Sequence, residues 1–320
     1  MRAAPGGTYT RCSGRPTARF RLPCWAHDLL ASRRPRARPT REWTASALPR
    51  TLRRVPPDAL SFDELENRLT AHVSERMLEL ADLAPGTRVL DLACGRGEPS
   101  LRAARRVGPG GEVLGLDVAE RSLEVARRRA ARDGLSHARF TCLDIERADE
   151  AGTGFDVALS RWGLVAAREP VRALEATARA LKPGGRLVLA VWCEPARIPW
   201  WSVPRAVTER FAELPPRPPD APSPFRYAAQ EKLEADLARA GFDVEATEEL
   251  HTSVVESADV DGFVDWVRVV LSPWADAVPV ERRAAWEQAL REAFAPHRSG
   301  NTWQLDGVAR LVRATHMETR

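Results

Sequence analysis

The chain has 320 residues, a net charge of +4 and 44% hydrophobic residues. This composition is typical of a globular protein in solution, and no apolar run approaches the about 18 residues that a membrane span needs. The five cysteines include no Cys-x-x-Cys pair, and no His-x-His or His-x-x-x-His spacing occurs. These spacings suggest neither a disulfide framework nor a metal site, so we expect a protein of the reducing cytoplasm.

The positive charge is confined to the N-terminal segment. Residues 1–54 carry 13 arginines against two acidic residues, whereas residues 55–320 carry 35 basic and 42 acidic residues, a net charge of −7. The first segment shows no apolar periodicity and should be a disordered tail: a targeting segment, a nucleic-acid-binding arm or a dispensable extension. The acidic body, residues 55–320, argues against a nucleic-acid substrate.

The first half of the body alternates between helical and strand patterns. A capping box from Ser61 to Glu64 predicts the start of a helix over residues 61–83. After the first strand, which ends near residue 90, the predicted strands are residues 111–117, 138–142, 155–160 and 186–192, and the helices between them include 119–132 and 169–181. This alternation predicts a parallel sheet with helices on both faces.

The second half has a different character. Residues 194–229 contain nine prolines and no strand pattern, and should be an insertion over the sheet edge. The predicted elements that follow are a helix at 229–240, a strand at 242–255, helices near 259–271 and 280–295, and a last segment, 304–317, with a hairpin turn at Asp306-Gly307.

The most informative segment, VLDLACGRG (residues 89–97), joins the first strand to a helix through two glycines. Gly95 and Gly97 have no Cβ, so a ligand can lie directly on this backbone, and the helix start offers free N–H groups. Asp117 lies 20 residues after Gly97, about the spacing at which an acid meets a ribose in dinucleotide folds. A nicotinamide dinucleotide is therefore one candidate ligand.

Three further features favour another nucleotide. Asp91 lies four residues before Gly95, where a carboxylate can hold an ammonium group near the turn. Asp144 is a third acid and follows the third predicted strand. The segment LKPGGRLVLA (residues 181–190) then supplies a helix end, a turn and an apolar strand.

Together these segments resemble the class I S-adenosylmethionine-dependent methyltransferases, in particular the small-molecule branch that includes the ubiquinone/menaquinone biosynthesis C-methyltransferases. The matching segments are VLDLACGRGEPSL (89–101), VLGLDVA (113–119), CLDIE (142–146), FDVALSRWGLV (155–165) and LKPGGRLVLAVW (181–192), within roughly residues 60–320. Ala93 departs from the family, which more often has glycine there. The resemblance implies a Rossmann-like, doubly wound, mostly parallel seven-stranded sheet ending in an antiparallel hairpin, with S-adenosyl-L-methionine as the cofactor.

The resemblance also implies the cofactor-binding residues, which are Asp91, Ala93, Cys94, Gly95, Gly97, Asp117, Val118, Asp144, Ile145, Ser160 and Arg161. The glycine turn should lie beside the methionine carboxylate and the adenosine, Asp117 should accept from the ribose hydroxyls, and Asp144 from the adenine amino group. Each residue also has a plain structural alternative: a strand–helix turn, a helix cap, a surface turn acid or, for Val118, packing at the helix start. The backbone of Ser160 and Arg161 ends the fourth strand, where ligands bind in open parallel sheets.

Catalytic residues cannot be predicted from these motifs. Methyl transfer is a direct in-line displacement in which the cofactor brings the leaving group, so a base is needed only if the acceptor must lose a proton. The candidates for such a base are His72, His251, Tyr227 and Glu98. Histidines placed within helices or strands more often have structural roles.

The tryptophans indicate the kind of acceptor. Eight of the ten follow residue 160, and residues 194–229 and 257–300 should form substrate-cap insertions, because insertions at these points cap the substrate in the family. Tryptophan-rich caps suit a flat or apolar small molecule; the alternative is that the same indoles pack the inserted helices onto the sheet. We therefore predict methyl transfer to carbon, oxygen or nitrogen of a small organic acceptor, with an NAD-linked dehydrogenase and a non-catalytic cofactor-fold protein as alternatives.

Overall fold

A computed structural model describes residues 68–214 and 221–317. The expected tail and the capping box at residues 61–64 lie outside these residues. In chain order the elements are α1 (Ala71–Leu80), β1 (Arg88–Leu92), α2 (Ser100–Val107), β2 (Glu112–Asp117), α3 (Glu120–Arg132), β3 (Ala138–Cys142), β4 (Phe155–Arg161), α4 (Pro170–Ala180), β5 (Leu181–Trp192), α5 (Pro199–Glu209), α6 (Gln230–Arg239), β6 (Phe242–Ser257), α7 (Val260–Val270), α8 (Ser272–Ala277), α9 (Arg283–Phe294), β7 (Arg298–Ser299) and β8 (Thr302–His316). Short 3-10 helices occur at Ile145–Ala151, Leu164–Ala166, Pro195–Arg197, Val280–Arg282 and Ala295–His297.

The strands form one sheet in the order β3-β2-β1-β4-β5-β8-β6. Strands β1 to β5 pair in parallel, and β8 is antiparallel to both β5 and β6. This arrangement confirms the predicted Rossmann-like sheet with an antiparallel end. The two-residue strand β7 pairs with β8 and adds an eighth strand to the seven that were expected.

Each face of the sheet buries its own apolar core, because successive strand residues point to opposite faces. Val89 of β1 belongs to one core, which also includes residues of α1, α2, α3 and the helices after β5. Leu90 belongs to the other core, with residues of α4 and α6. Asp91 therefore lies on the same face as Val89, under the start of α2.

The prediction of a hairpin turn at Asp306-Gly307 is wrong. Both residues lie inside β8, where they pair with Ser253 and Thr252 of β6. The true two-residue turn is Gly300-Asn301, which joins β7 to β8 and has Gly300 at a φ of 61°. A Gly-Asn pair is itself a hairpin signal, so the sequence contained the correct turn as well as the wrong one.

Gly307 is needed for close packing rather than for a turn. A Cβ built at this position would lie 2.9 Å from Cζ3 of Trp192 and 3.1 Å from Nε1 of Trp200. The absence of a side chain lets these two indoles lie directly on strand β8. This explains a glycine in the middle of a strand, where it otherwise weakens the ladder.

The segments expected to cap the sheet are mainly helical. The proline-rich insertion contains α5, which begins at Pro199 and has Pro204 inside it. The connection from β6 to β8 contains α7, α8 and α9, and an indole hydrogen bond from Trp286 to Thr208 Oγ1 (3.1 Å) joins α9 to α5. Within the described residues, no helix has both the length and the hydropathy to cross a bilayer.

We expect Gly307→Ala to destabilise the fold, because the added methyl group would force the Trp192 and Trp200 rings apart. The cost should be about 1–3 kcal/mol of the free energy of unfolding, the usual range for overpacking a core. Gly110→Ala is the matched control, since a Cβ there meets no atom within 4 Å. Urea denaturation measures both variants, and equal stability of the two would contradict the packing role of Gly307.

Candidate functional site

The predicted site residues meet at the carboxyl ends of the parallel strands, the edge where open α/β sheets bind their ligands. The loop of residues 93–97 connects β1 to α2 along this edge. Ala93, Gly95 and Gly97 have φ angles of 55°, 54° and 97°. Three left-handed residues in five turn the chain sharply from the strand into the helix, and glycine adopts this conformation without steric cost.

Ala93 shows why the family more often has glycine at this position. Its left-handed φ of 55° costs a non-glycine residue about 1–2 kcal/mol. The neighbouring loop accommodates the extra methyl group through Gly163, where a Cβ would lie 2.6 Å from the Ala93 Cβ. A Cβ at 163 would also lie 2.6 Å from the Leu92 carbonyl, so both the backbone and the Ala93 methyl group of the loop after β1 require glycine there.

Gly97 and Cys94 support the loop from inside the protein. A Cβ on Gly97 would lie 3.1 Å from the Leu101 side chain and 3.3 Å from Ala126 Cβ. Gly97 thus allows the loop to pack on α2 and α3, which adds a structural reason to the ligand contact expected from the sequence. Cys94 is buried, and its backbone N–H donates to Leu116 of β2 at 2.8 Å.

Asp91 is a fully buried carboxylate at the end of β1. Its Oδ2 accepts the Ser100 backbone N–H at 3.0 Å and also the Ser100 hydroxyl, at the first residue of α2. Its Oδ1 is buried and has no hydrogen-bond partner in the part of the chain that the structure describes. Burial raises the pKa of Asp91 to about 7, against the opposing effects of the Ser100 hydrogen bonds and the Arg161 charge.

Asp117 connects the ends of β1 and β2. Its Oδ2 accepts the Gly95 N–H at 2.8 Å, and its Oδ1 accepts the Ala119 N–H at 2.8 Å. The carboxylate is almost entirely buried, and burial raises its pKa despite these hydrogen bonds. The helix-cap alternative for Asp117 is wrong, because α3 begins at Glu120 and its N-cap residue, Ala119, has no side-chain cap hydrogen bond. Asp117 instead accepts hydrogen bonds from the turn that precedes α3 and from the glycine turn.

The predicted residues Asp144 and Ile145 follow β3, and the start of this segment lies beside Asp117. The Leu143 N–H donates to the Asp117 carbonyl at 3.1 Å, and the exposed Cys142 thiol lies 3.7 Å from the Val118 carbonyl. Val118 is 55% exposed, so it does not pack at the helix start. Asp144 is exposed and caps the following 3-10 helix by accepting the Glu146 N–H at 3.0 Å, while Ile145 is buried.

Ser160 and Arg161 end β4 on the other side of β1. The buried Ser160 hydroxyl accepts the Leu164 N–H at 3.1 Å. The Arg161 guanidinium donates to Thr70 Oγ1 at 3.2 Å and to Ser74 Oγ at 2.9 Å. These bonds connect α1 to the end of β4, a role of the Arg161 side chain that no sequence signal indicated.

A continuous column of aromatic rings begins at the next residue. Trp162 stacks on Trp192 with ring centres 4.6 Å apart, and Trp192 meets Trp200 of α5 edge to face at 5.5 Å. Trp200 in turn contacts Trp201 at 5.9 Å and Trp266 of α7 at 6.3 Å. All five indoles are buried, so packing of the inserted helices against the sheet is one of their roles.

Three of the four candidate bases have side-chain partners, whereas His251 takes part through its backbone carbonyl. His72 Nε2 lies 3.0 Å from the His251 carbonyl, which joins α1 to β6. The fully buried Tyr227 donates its hydroxyl to Asp236 at 3.1 Å, and burial raises the pKa of that phenol further above neutrality. Glu98 forms an ion pair with Arg102 at 3.0 Å. Across residues 68–214 and 221–317, no three His, Cys, Asp or Glu side chains are grouped as metal ligands.

Comparison with known proteins identifies the family. A family model described as a methyltransferase domain matches residues 83–215. The ubiquinone/menaquinone biosynthesis C-methyltransferase of Azotobacter vinelandii is 34% identical over 52% of this chain and 70% of that protein. The nocamycin O-methyltransferase of Saccharothrix syringae is 30% identical over 71% of this chain and 85% of that protein.

The chain belongs to the S-adenosylmethionine-dependent methyltransferases. The fold agrees: a solved structure of a Bacillus halodurans protein assigned as a methyltransferase superposes with a TM-score of 0.50 at 19% identity, over 76% of this chain and 98% of that chain. The methyltransferase uses S-adenosylmethionine, and its relatives favour this function over the NAD-linked dehydrogenase that the glycine spacing alone allowed.

We expect Asp91→Asn to stabilise the ligand-free methyltransferase at pH 8. An acid whose pKa is about 7 in the folded state and about 3.9 when unfolded lowers the free energy of unfolding as pH rises between these values, by up to about 4 kcal/mol above pH 7. The asparagine amide does not ionise, so the variant avoids this loss of stability. The difference in the free energy of unfolding between the variant and the wild-type protein should therefore shrink towards pH 4.

Urea denaturation at pH 5 and pH 8 measures this difference. Asp144→Asn is the control, because Asp144 is an exposed acid at the end of another strand. A variant at position 91 that is equally destabilised at both pH values would show that the buried carboxylate is not protonated more readily in the folded state.

Proposed function

We propose that this methyltransferase transfers the methyl group of S-adenosylmethionine to a small, largely apolar or aromatic organic acceptor. The observation that carries the proposal is the aromatic column from Trp162 to Trp266, which connects the strand ends to the helices that follow β5 and β6. Aromatic walls of this kind favour flat apolar ligands and exclude water.

We propose that Asp91 binds the α-ammonium group of the cofactor. Its buried Oδ1 has no hydrogen-bond partner among the described residues, and such an atom is costly unless a ligand satisfies it. An ammonium group would supply both the donor and the compensating positive charge. The residues in this part of the site therefore fit the amino-acid end of S-adenosylmethionine.

The adenosine end would lie across Asp117, Val118 and the segment after β3. Each carboxylate oxygen of Asp117 accepts one backbone N–H, and each has a second lone pair for a ribose hydroxyl. The exposed Val118 side chain offers an apolar surface for the adenine ring. We propose an adenine contact for Asp144 through the carboxylate oxygen that does not cap the 3-10 helix.

The names of the relatives suggest the class of acceptor. They include a ubiquinone/menaquinone biosynthesis C-methyltransferase, a nocamycin O-methyltransferase and an aklanonic acid methyltransferase of a Streptomyces strain. We infer for this chain a cyclic, oxygen-bearing acceptor that is methylated on carbon or oxygen. The acceptor would lie between α1, the turn after Ser160, and the helices α5 and α7.

The residues of this chain would mainly bind, orient and exclude water. The bound cofactor supplies an electrophilic methyl group together with its leaving group. Arg161 would hold α1 over the site through Thr70 and Ser74, and the packed cap would keep water away from the reacting atoms. No base is assigned, since an acceptor that is already ionised needs none.

Turnover with a panel of acceptors tests this function. The purified protein is incubated with S-adenosylmethionine and a series of quinols, phenols and polycyclic enols, and S-adenosylhomocysteine and methylated product are measured by mass spectrometry. We expect product from at least one member, and less of it from Asp117→Ala when the cofactor is below saturation. Binding of S-adenosylmethionine without turnover of any member would argue for the non-catalytic alternative.

Val118→Ser should weaken cofactor binding without weakening the fold. Loss of an apolar contact of about 1 kcal/mol corresponds to about a fivefold rise in Kd, whereas a side chain that is 55% exposed contributes little to the core. Val280→Ser is the matched control, because Val280 is 75% exposed and lies in the 3-10 helix before α9. Isothermal titration with S-adenosylmethionine should show the rise for Val118→Ser alone, and equal Kd values for all three proteins would remove Val118 from the site.

A further inference from the structure

The indole nitrogen of Trp162 is a buried hydrogen-bond donor that has no acceptor among the described residues. The side chain is 8% exposed, and Nε1 is buried without a hydrogen bond in the described part of the chain. Buried indole N–H groups usually find an acceptor. Trp286 shows the usual arrangement, because its Nε1 donates to Thr208 Oγ1 at 3.1 Å.

Trp162 also has an unusual backbone conformation. Its φ is 59°, a left-handed value that is rare for a bulky residue, and its backbone N–H donates to the Ala190 carbonyl at 2.8 Å. Outliers of this kind occur mainly at binding and catalytic sites, where the surrounding structure holds them in place. The conformation is therefore a second, independent indication that this residue serves a ligand.

The faces of the Trp162 ring are already occupied. One aromatic neighbour is Trp192, stacked at 4.6 Å with an angle of 8° between the rings, and the Arg161 guanidinium carbon lies 5.1 Å from the ring centre. An acceptor molecule cannot replace these contacts by stacking. It can meet Trp162 only at the edge of the ring, where the N–H donor lies.

The position of Trp162 in the fold relates it to the acceptor rather than to the cofactor's adenosine. Trp162 directly follows β4, which lies on one side of β1. Asp117 and Val118 lie on the other side of β1, at the end of β2. Trp162 begins the aromatic column that leads to α5 and α7. Trp162 thus lies where the strand ends meet the apolar cap.

We propose that Trp162 Nε1–H donates a hydrogen bond to an oxygen atom of the acceptor and so selects oxygen-bearing rings. This inference rests on the proposed function and makes it more specific, because it requires a phenol, enol or quinol oxygen beside the apolar ring. A site with one fixed donor rejects an analogue that lacks the oxygen, since the donor then remains buried and unpaired.

The test compares two probes of similar size, 2-naphthol and 2-methylnaphthalene, on protein saturated with S-adenosylhomocysteine. Equilibrium dialysis gives a Kd for each probe. We expect the wild-type protein to prefer 2-naphthol, and Trp162→Phe to reduce this preference about fivefold to tenfold, the effect of one neutral hydrogen bond. The Kd for 2-methylnaphthalene and for S-adenosylhomocysteine should change little, since phenylalanine retains a ring against Trp192.

Trp303→Phe is the matched control. Its indole nitrogen is also buried without a hydrogen bond, but the residue lies at the β7–β8 hairpin. This variant should keep the wild-type preference for 2-naphthol. An unchanged preference in Trp162→Phe, or a loss of S-adenosylhomocysteine affinity in its place, would overturn the role of Trp162. Binding of neither probe by the wild-type protein would overturn the aromatic-acceptor proposal itself.

A second measurement covers the case in which Trp162→Phe does not fold. In the wild-type protein labelled with 15N tryptophan, one of the ten indole N–H signals should move downfield when 2-naphthol is added and should not move so with 2-methylnaphthalene. The absence of any such signal, with 2-naphthol bound, would refute a hydrogen bond from Trp162.

Discussion

The buried carboxylate of Asp91 is the constraint on which the whole cofactor edge depends. The alternation of β1 points it to the face where α2 begins, and the Ser100 N–H and hydroxyl both donate to one of its oxygens. A negative group at a helix start is favourable, so this contact fixes where the loop must end. Asp117 fixes the middle of the same loop through the Gly95 N–H. With both points held, the backbone between them has little freedom, and left-handed residues satisfy the short connection.

The electrostatics of this edge of the sheet are set mainly by its buried acids. Two acids, Asp91 and Asp117, are buried at neighbouring strand ends, and burial raises the pKa of both. The Arg161 guanidinium opposes this for Asp91, and it also donates hydrogen bonds to Ser74 of α1 and to Thr70, which precedes that helix. A cationic group bound beside Asp91 would favour the ionised carboxylate and lower its pKa. This property of Asp91 suits the ammonium group of S-adenosylmethionine, whereas Asp117 would suit the ribose of either cofactor.

Much of this architecture could be predicted from local patterns, and the errors have physical causes. Apolar strands that alternate with helices specify a parallel sheet, and the glycine turn and the acids after each strand indicate its ligand edge. The turn predicted at Asp306-Gly307 is wrong because the sequence does not show whether a glycine is needed for a turn or for a close contact. Here Gly307 is needed for contact with two indoles that are distant in sequence. The side-chain role of Arg161 was equally invisible, since its partners lie on a helix that precedes the sheet. Long-range packing decides such positions, and local propensity cannot report it.

One edge of the sheet carries two kinds of side chain, polar groups in one part and aromatic rings in the other. Polar groups lie at the ends of β1, β2 and β3, where we propose that the cofactor binds, whereas beyond β4 the same edge continues as stacked indoles. Trp162 lies at the boundary, with its ring in the aromatic column and its N–H without a partner in residues 68–214 and 221–317. A reaction that moves a methyl group from a charged donor to an apolar ring needs such a boundary, because a donor site must tolerate charge and an acceptor site must exclude water. Gly163 and Gly307 bring the two halves together: the first lets the loops after β1 and β4 touch, and the second lets the indole column lie on β8. Small residues at these contacts would therefore set the distance between the proposed cofactor and acceptor positions.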